Sequence, residues 1–386
     1  MRKILTIEEN SAANPDAEGG PLRLTKDLVR TWDQWIVWRL GGNPTVSALV
    51  VPPVMLASFF LPAWALGHFS RVVPEIEIEG VFGLDAFAWA AVVVSLMGGY
   101  AISVTSFAVM SDLRDLRKLL PVLEPRAISM FESWQENEPQ HVRRGKVAGH
   151  AGTLLGIVSM LVTVPGAADL VGIRFLLPSA PARIPSAGIF VVVWFLVTGP
   201  ALFYLFGKGL YFSIAEGRFM RRVQADCLKV DLFEINSLAP MMRVAMRRSF
   251  IWIVGATLGS LFFLSKGIDR TALEPLFIGI CLVALSVLAP ALFHIHRAIV
   301  SAKAAELADV RAAIRRERDA ALGHDDRGTQ ANARLPGLIA LERRIEQVRE
   351  WPVDFGMVSR FALYLGIPLF SWVGGALVEK VVDVFL

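Results

Sequence analysis

Residues 184–207 read IPSAGIFVVVWFLVTGPALFYLFG, a run without Asp, Glu, Lys or Arg that is closed by Arg183 before it and Lys208 after it. At ~1.5 Å of rise per residue such a run reaches roughly 36 Å as a helix, enough to cross the ~30 Å hydrocarbon layer of a bilayer. Six further charge-free windows occur at 40–70, 86–111, 147–168, 249–265, 275–296 and 361–378. Each comes close to the ~20 residues that a spanning helix needs. A chain of 386 residues that is 54% hydrophobic and only 19% charged, with mean hydropathy +0.51, is not an ordinary soluble domain. The expected fold is all-α: a polytopic helical membrane bundle of about seven transmembrane helices, with the lipid bilayer as its first partner.

The net charge of +4 and pI near 9.2 would by themselves suggest a nucleic-acid binder. Placing the charges between the windows removes that suggestion. Of the 39 Lys and Arg, 33 fall in the N-terminal segment, at Lys208, or in the segments 111–148, 213–248 and 297–360, and six fall on the alternate side. Positive loops stay inside, so the N-terminus and these basic segments are expected in the cytoplasm of a bacterial cell, with the chain in the inner membrane. The last window is the weakest. Residues 361–378 carry Gly366, Pro368, Gly374 and Gly375, so a full crossing and a re-entrant helix both stand.

Five regions follow from this pass: a polar tail at 1–23, an interfacial amphipathic helix at 24–40, a six-helix membrane domain at 41–296, a cytoplasmic αα-hairpin at 297–350 and a transmembrane or re-entrant helix at 351–386. In the second region Trp32, Trp35 and Trp38 put three indoles within seven residues beside Lys26 and Arg30, a composition suited to an anionic headgroup layer. Packing against a neighbouring helix is the competing reading. About 40 mostly polar residues precede the first apolar run, so that run is expected to act as an uncleaved anchor. In the hairpin, Val300, Leu307, Val310 and Ile314 form one stripe, and Leu338, Leu341, Ile345 and Val348 form another.

The membrane windows also show a repeat. Pro200, Ala201, Leu202 and Phe203 recur as Pro290, Ala291, Leu292 and Phe293, and the windows before them carry the pairs Gly152 with Gly156 and Gly255 with Gly259. Three tandem hairpins are expected, the first the most divergent. The glycine pairs let backbones approach closely, and the prolines free a carbonyl one turn earlier, a device for bending a helix or lining a cavity. The mild polar groups Tyr100, Thr198, Tyr204 and Ser286 could line a pore or simply join helices.

No phosphate loop, Gly-x-Ser-x-Gly elbow, Ser-x-x-Lys dyad or His-Glu-x-x-His helix is present. The loop carboxylates Asp112, Asp115 and Glu216 are conceivable ligands for a lipid-acting enzyme, but carboxylates at helix ends commonly cap or solvate them. His294 and His296 lie about 200° apart on a helix and cannot both bind one ion without a partner helix, so anchoring at the inner interface is the expected role. Cys227 and Cys281 have no zinc-type spacing. The windows hold no midplane carboxylate, which argues against an ion-coupled transporter. Glu75, Glu77 and Glu79 alternate with Ile76 and Ile78, so an extended strand would hold three carboxylates on one external face.

Val230–Phe233 with Arg243, Arg247 and Arg248, and Arg349–Asp354 ahead of the Arg360–Lys380 run, resemble a group of uncharacterised bacterial multi-pass inner-membrane proteins. The resemblance implies location and an all-helical architecture; no activity carries over from it. The function expected first is a passive pore or channel-like protein, a homo-oligomer without catalytic centre, metal or cofactor. The alternative is a signalling or scaffold protein that docks a cytoplasmic partner through residues 297–350, and the third is a lipid-acting enzyme. Nucleic acid is not an expected partner.

Overall fold

The computed structural model describes residues 24–26, 29–73, 84–119, 123–177, 188–228, 230–265, 270–322 and 326–351, with 359, 362, 363 and 366 beyond them. Among these the chain is all-α, with eleven α-helices and no sheet. Nine helices carry the argument: α1 (Trp32–Arg39), α2 (Pro44–Ala65), α3 (Ala86–Leu119), α4 (Arg126–Glu136), α5 (Glu138–Thr163), α6 (Ile189–Cys227), α7 (Ala239–Ser260), α8 (Arg270–Ala321) and α9 (Asp326–Glu346).

Six of them are long and apolar enough to cross a membrane: Pro44–Ala65, Ala86–Asp112, Glu138–Thr163, Ile189–Cys227, Ala239–Leu264 and Ile278–Ala321. Each overlaps one of the first six charge-free windows, and those at Ile189–Cys227 and Ile278–Ala321 run well past theirs. The seventh window, 361–378, lies outside the described residues apart from three positions, as do the tail at 1–23 and the triad Glu75, Glu77 and Glu79.

Local chemistry starts and stops these helices. Gly41 and Gly42, both at positive φ (89° and 74°), turn the chain sharply between α1 and α2. Asn43 then caps α2, its Oδ1 accepting from the Thr45 amide at 2.9 Å, with Pro44 at the first helical position. Asp85 caps α3 by accepting from the Ala88 amide at 2.7 Å. At the far end of α5, Pro165 and the left-handed Gly166 (φ 78°) break the helix.

Burial lifts the Asp85 carboxyl from its ordinary 3.8 to about 6, while bonds from the Ala88 and Phe87 amides oppose the rise. Because the folded-state value lies above the unfolded one, the stability linked to this proton is fully present below about pH 4 and is lost as pH rises through about 6. Asp85→Asn, which keeps the cap, is therefore expected to flatten the fall in thermal midpoint between pH 4 and 7. An unchanged pH profile for the purified variant in detergent would contradict the assignment.

The most extensive pairings join consecutive long helices: α2 with α3, α5 with α6, α7 with α8, and α8 with α9. Side-chain donors then tie one hairpin to another. Trp89 Nε1 and Tyr100 Oη of α3 donate to the carbonyls of Leu261 (2.8 Å) and Ile251 (2.7 Å). Trp252 Nε1 of α7 donates to Ser213 Oγ of α6 at 3.0 Å, and Trp194 Nε1 of α6 donates to Ser58 Oγ of α2 at 3.0 Å. Lipid offers no apolar drive for helix association, so such bonds and close packing supply it. The outer faces remain apolar: Leu49, Leu61 and Trp64 of α2 and Leu154 and Leu155 of α5 are each more than 60% exposed. In water this surface would be an aggregation patch; in a bilayer it meets acyl chains.

Two cores sit at opposite ends of the molecule. One gathers Phe59, Ala88, Leu161, Val191 and Trp194 from α2, α3, α5 and α6. The other gathers Ala127, Val223, Met241, Met242, Ile295, Ile299, Val310 and Ile345 from α4, α6, α7, α8 and α9. That second core is built largely from extensions of the spanning helices beyond their apolar zones. With 52 residues α8 is roughly 78 Å long, more than twice the ~30 Å a bilayer core requires. Its outer half pairs with α9 through Arg311, which donates to Glu342 (2.6 Å) and Glu346 (2.7 Å), and through Lys303, whose Nζ donates to the terminal α9 carbonyl of Glu346 (2.8 Å).

Candidate functional site at the buried charges

The least expected feature of the bundle is an ion pair deep in its packing. Lys208 lies within α6, and Asp33 belongs to α1. They are 3% and 0% exposed. Lys208 Nζ donates to Asp33 Oδ1 (2.6 Å), Asp33 Oδ2 (2.7 Å) and Thr31 Oγ1 (2.9 Å), which uses all three of its protons. Thr105 Oγ1 of α3 donates to Asp33 Oδ2 at 2.8 Å. Thus α1, α3 and α6 meet on one carboxylate. Removing an ion from water costs several kcal/mol, so the arrangement holds only because each polar atom is satisfied.

As a sequence, Lys208 closes an apolar window and Asp33 lies in an amphipathic segment, positions that suit a helix end and a polar face; the structure buries both. The α-helix begins at Trp32, and it docks with Asp33 and Gln34 inward while Trp32 and Trp35 stay 42% and 48% exposed. A signal was available in the sequence. Lys208 is the only charge between Arg183 and Glu216, and the helix around it continues apolar through Leu210–Ala215, so it needed a buried counter-ion.

A second network joins α3, α6 and α7. Asp112 accepts from both Arg247 and Arg248, the latter at 2.9 Å, and Arg248 also reaches Glu216 Oε2 at 3.1 Å. Two guanidinium groups meet two carboxyl groups, so the formal charges of the cluster balance. Asp112 and Glu216, conceivable ligands for a lipid-acting enzyme from sequence, are here engaged by guanidinium groups, and among the described residues no group of three or more His, Cys, Asp or Glu could hold a metal ion. The side chain of Asp115 lies outside the described ones.

The other candidate residues are scattered. Thr198 Oγ1 donates to the Trp194 carbonyl (2.8 Å) and Ser286 Oγ to the Val283 carbonyl (2.8 Å); Ser286 is exposed on the outside of the bundle. Tyr100 is bonded to Ile251 as described. Tyr204 is buried between Trp32 (ring centroids 6.0 Å apart) and His150 (5.5 Å). Pro200 is buried against α5 and Pro290 is half-buried. Trp38 is half-buried, with Arg39 stacked over its ring and that of Trp35. His294 bonds the Pro290 carbonyl (2.7 Å), whereas His296 bonds the Glu350 carbonyl (2.9 Å) and stacks on Trp351 at 4.1 Å.

The two glycine pairs differ sharply. A Cβ on Gly152 would lie 2.2 Å from the Phe203 carbonyl oxygen, and one on Gly156 would lie 2.9 Å from Pro200 Cα. On Gly255 and Gly259 the nearest atoms are the tips of Tyr100 and Met97, at 3.8 and 3.9 Å. Sequence reading also missed Gly145 and Gly149, which extend the α5 seam toward Phe212 and Tyr204. Their spacing of four, three and four residues down to Gly156 was legible as one helical face.

The described fold and its site define a multi-pass helical membrane protein. No family model, no curated protein and no solved structure matches the chain.

Proposed function

We propose that the protein is a membrane-embedded docking protein, seated in the bacterial inner membrane with its N-terminus and the α8–α9 hairpin in the cytoplasm. One observation carries this reading. Spanning helices α6 and α8 run unbroken into an extramembrane helical body that has its own core, so the hairpin is held rigidly at the membrane surface. The hydroxyls of Tyr100, Thr198 and Ser286, which could have marked a pore wall, are bonded to backbone carbonyls, and Tyr204 is packed between Trp32 and His150, which weakens the pore reading for a single chain. The orientation rests on the distribution of Lys and Arg.

A photo-crosslinking residue in place of Ile339, which is 50% exposed on α9, tests the proposal in cells. The expected result is one adduct of defined mass, absent when the same residue replaces Leu154 on the lipid-facing side of α5. Failure to form an adduct at Ile339, with ion conductance from purified protein in liposomes, would overturn it in favour of a pore, which would then need a second copy to cover the outward Ser286.

A further inference from the structure

The N-terminal helix leaves an open cleft of about 400 Å³ beside the buried ion pair, between α1, α5 and α6. Arg30, Thr31, Trp32 and Trp35 of the N-terminal segment line it together with Lys146 of α5 and Tyr204 of α6. The charge balance of this cleft is positive. Asp33, which follows Trp32, is fully buried and committed to Lys208. Arg30 meets Glu138 at 3.3 Å, with both side chains about two-fifths exposed, which makes a weak and readily exchanged pair. Lys146 is exposed and makes no ion pair among the described residues.

Depth sets the class of ligand. Lys146 immediately precedes the charge-free window 147–168, and Lys208 immediately follows 184–207, so the cleft lies level with the ends of two spanning segments. Below Lys146 the α5 surface turns apolar at once, with Val147 63% and Leu154 67% exposed. A molecule bound here would place an anion beside Lys146 and Arg30, a glycerol-sized part against the indoles, and hydrocarbon along α5. We propose that the cleft is a binding site for the phosphate headgroup of an anionic phospholipid, with Lys146 and Arg30 as its cationic contacts and Trp32 and Trp35 as its interfacial wall.

Native mass spectrometry of the full chain in detergent, titrated with phosphatidylglycerol or with phosphatidylethanolamine, reads the first bound lipid. Tighter binding of phosphatidylglycerol is expected, with about a fivefold loss on Lys146→Gln and a larger loss when Arg30→Gln is added, since each basic group near the surface contributes about that factor. Arg343→Gln, the same charge change on exposed α9, is expected to leave binding unchanged. Because Lys146 is exposed and unpaired among the described residues, its variant retains the fold, which an unchanged thermal midpoint verifies. Equal affinity for the two lipids, or phosphatidylglycerol binding indifferent to both substitutions, overturns the proposal. Displacement of the lipid by inorganic phosphate at comparable concentration also overturns it, assigning the cleft to a free anion.

Discussion

Asp33→Ala is expected to lower the unfolding free energy by about 3–5 kcal/mol, because it strands the Lys208 ammonium among α1, α3 and α6 without its counter-ion. Lys208→Met strands the carboxylate instead and costs a similar amount. The double variant leaves no buried charge, and it is expected to recover most of the loss rather than add the two penalties. SDS-titration unfolding of the purified proteins in mixed micelles measures all three. Additive losses would mean that the two groups do not act as a pair. A distinct prediction follows for Thr105→Val, which removes one bond to Asp33 at 2.8 Å while leaving the ion pair intact. Its cost is expected to be smaller, about 1–3 kcal/mol, as for other hydrogen bonds to a charged group.

The second large effect belongs to the α5–α6 seam. Gly152→Ala introduces a methyl group 2.2 Å from the Phe203 carbonyl oxygen, a backbone atom that moves only if the helices part. A loss of about 1–3 kcal/mol is expected, the range for overpacking a tight contact. Gly255→Ala presents the same chemistry 3.8 Å from the edge of Tyr100, and a change within about 0.5 kcal/mol is expected. Comparing the two variants in one unfolding assay checks both. Equal losses would show that the seam does not depend on close backbone approach.

These two glycine positions also show how far the sequence reached. Both look alike as small-residue pairs, and nothing in the motif itself separates them. The difference comes from the facing helix: α6 presents Gly207 and a bare carbonyl to Gly152, whereas α3 presents the side chains of Tyr100 and Met97 to Gly255 and Gly259. The spanning segments were legible because a bilayer imposes a length and excludes charge, and both are written linearly in the chain. The reach of α8 beyond its apolar window was legible too, through the stripe from Val300 to Ile314. The Lys208–Asp33 contact was not, because pairing is a tertiary fact between residues 175 positions apart. What the sequence offered was a question, an isolated lysine in an apolar helix, without the partner that answers it.

That separation has a consequence in time. During synthesis at ~5–20 residues per second, the aspartate of α1 waits roughly 10–35 s before the lysine that neutralises it exists. Over that interval α1 has no buried place to go, since docking without the lysine would bury an uncompensated charge. Assembly of this protein is therefore ordered: the second hairpin must be made before the N-terminus can settle, and a nascent chain arrested before residue 208 exposes α1 to protease where the finished one protects it.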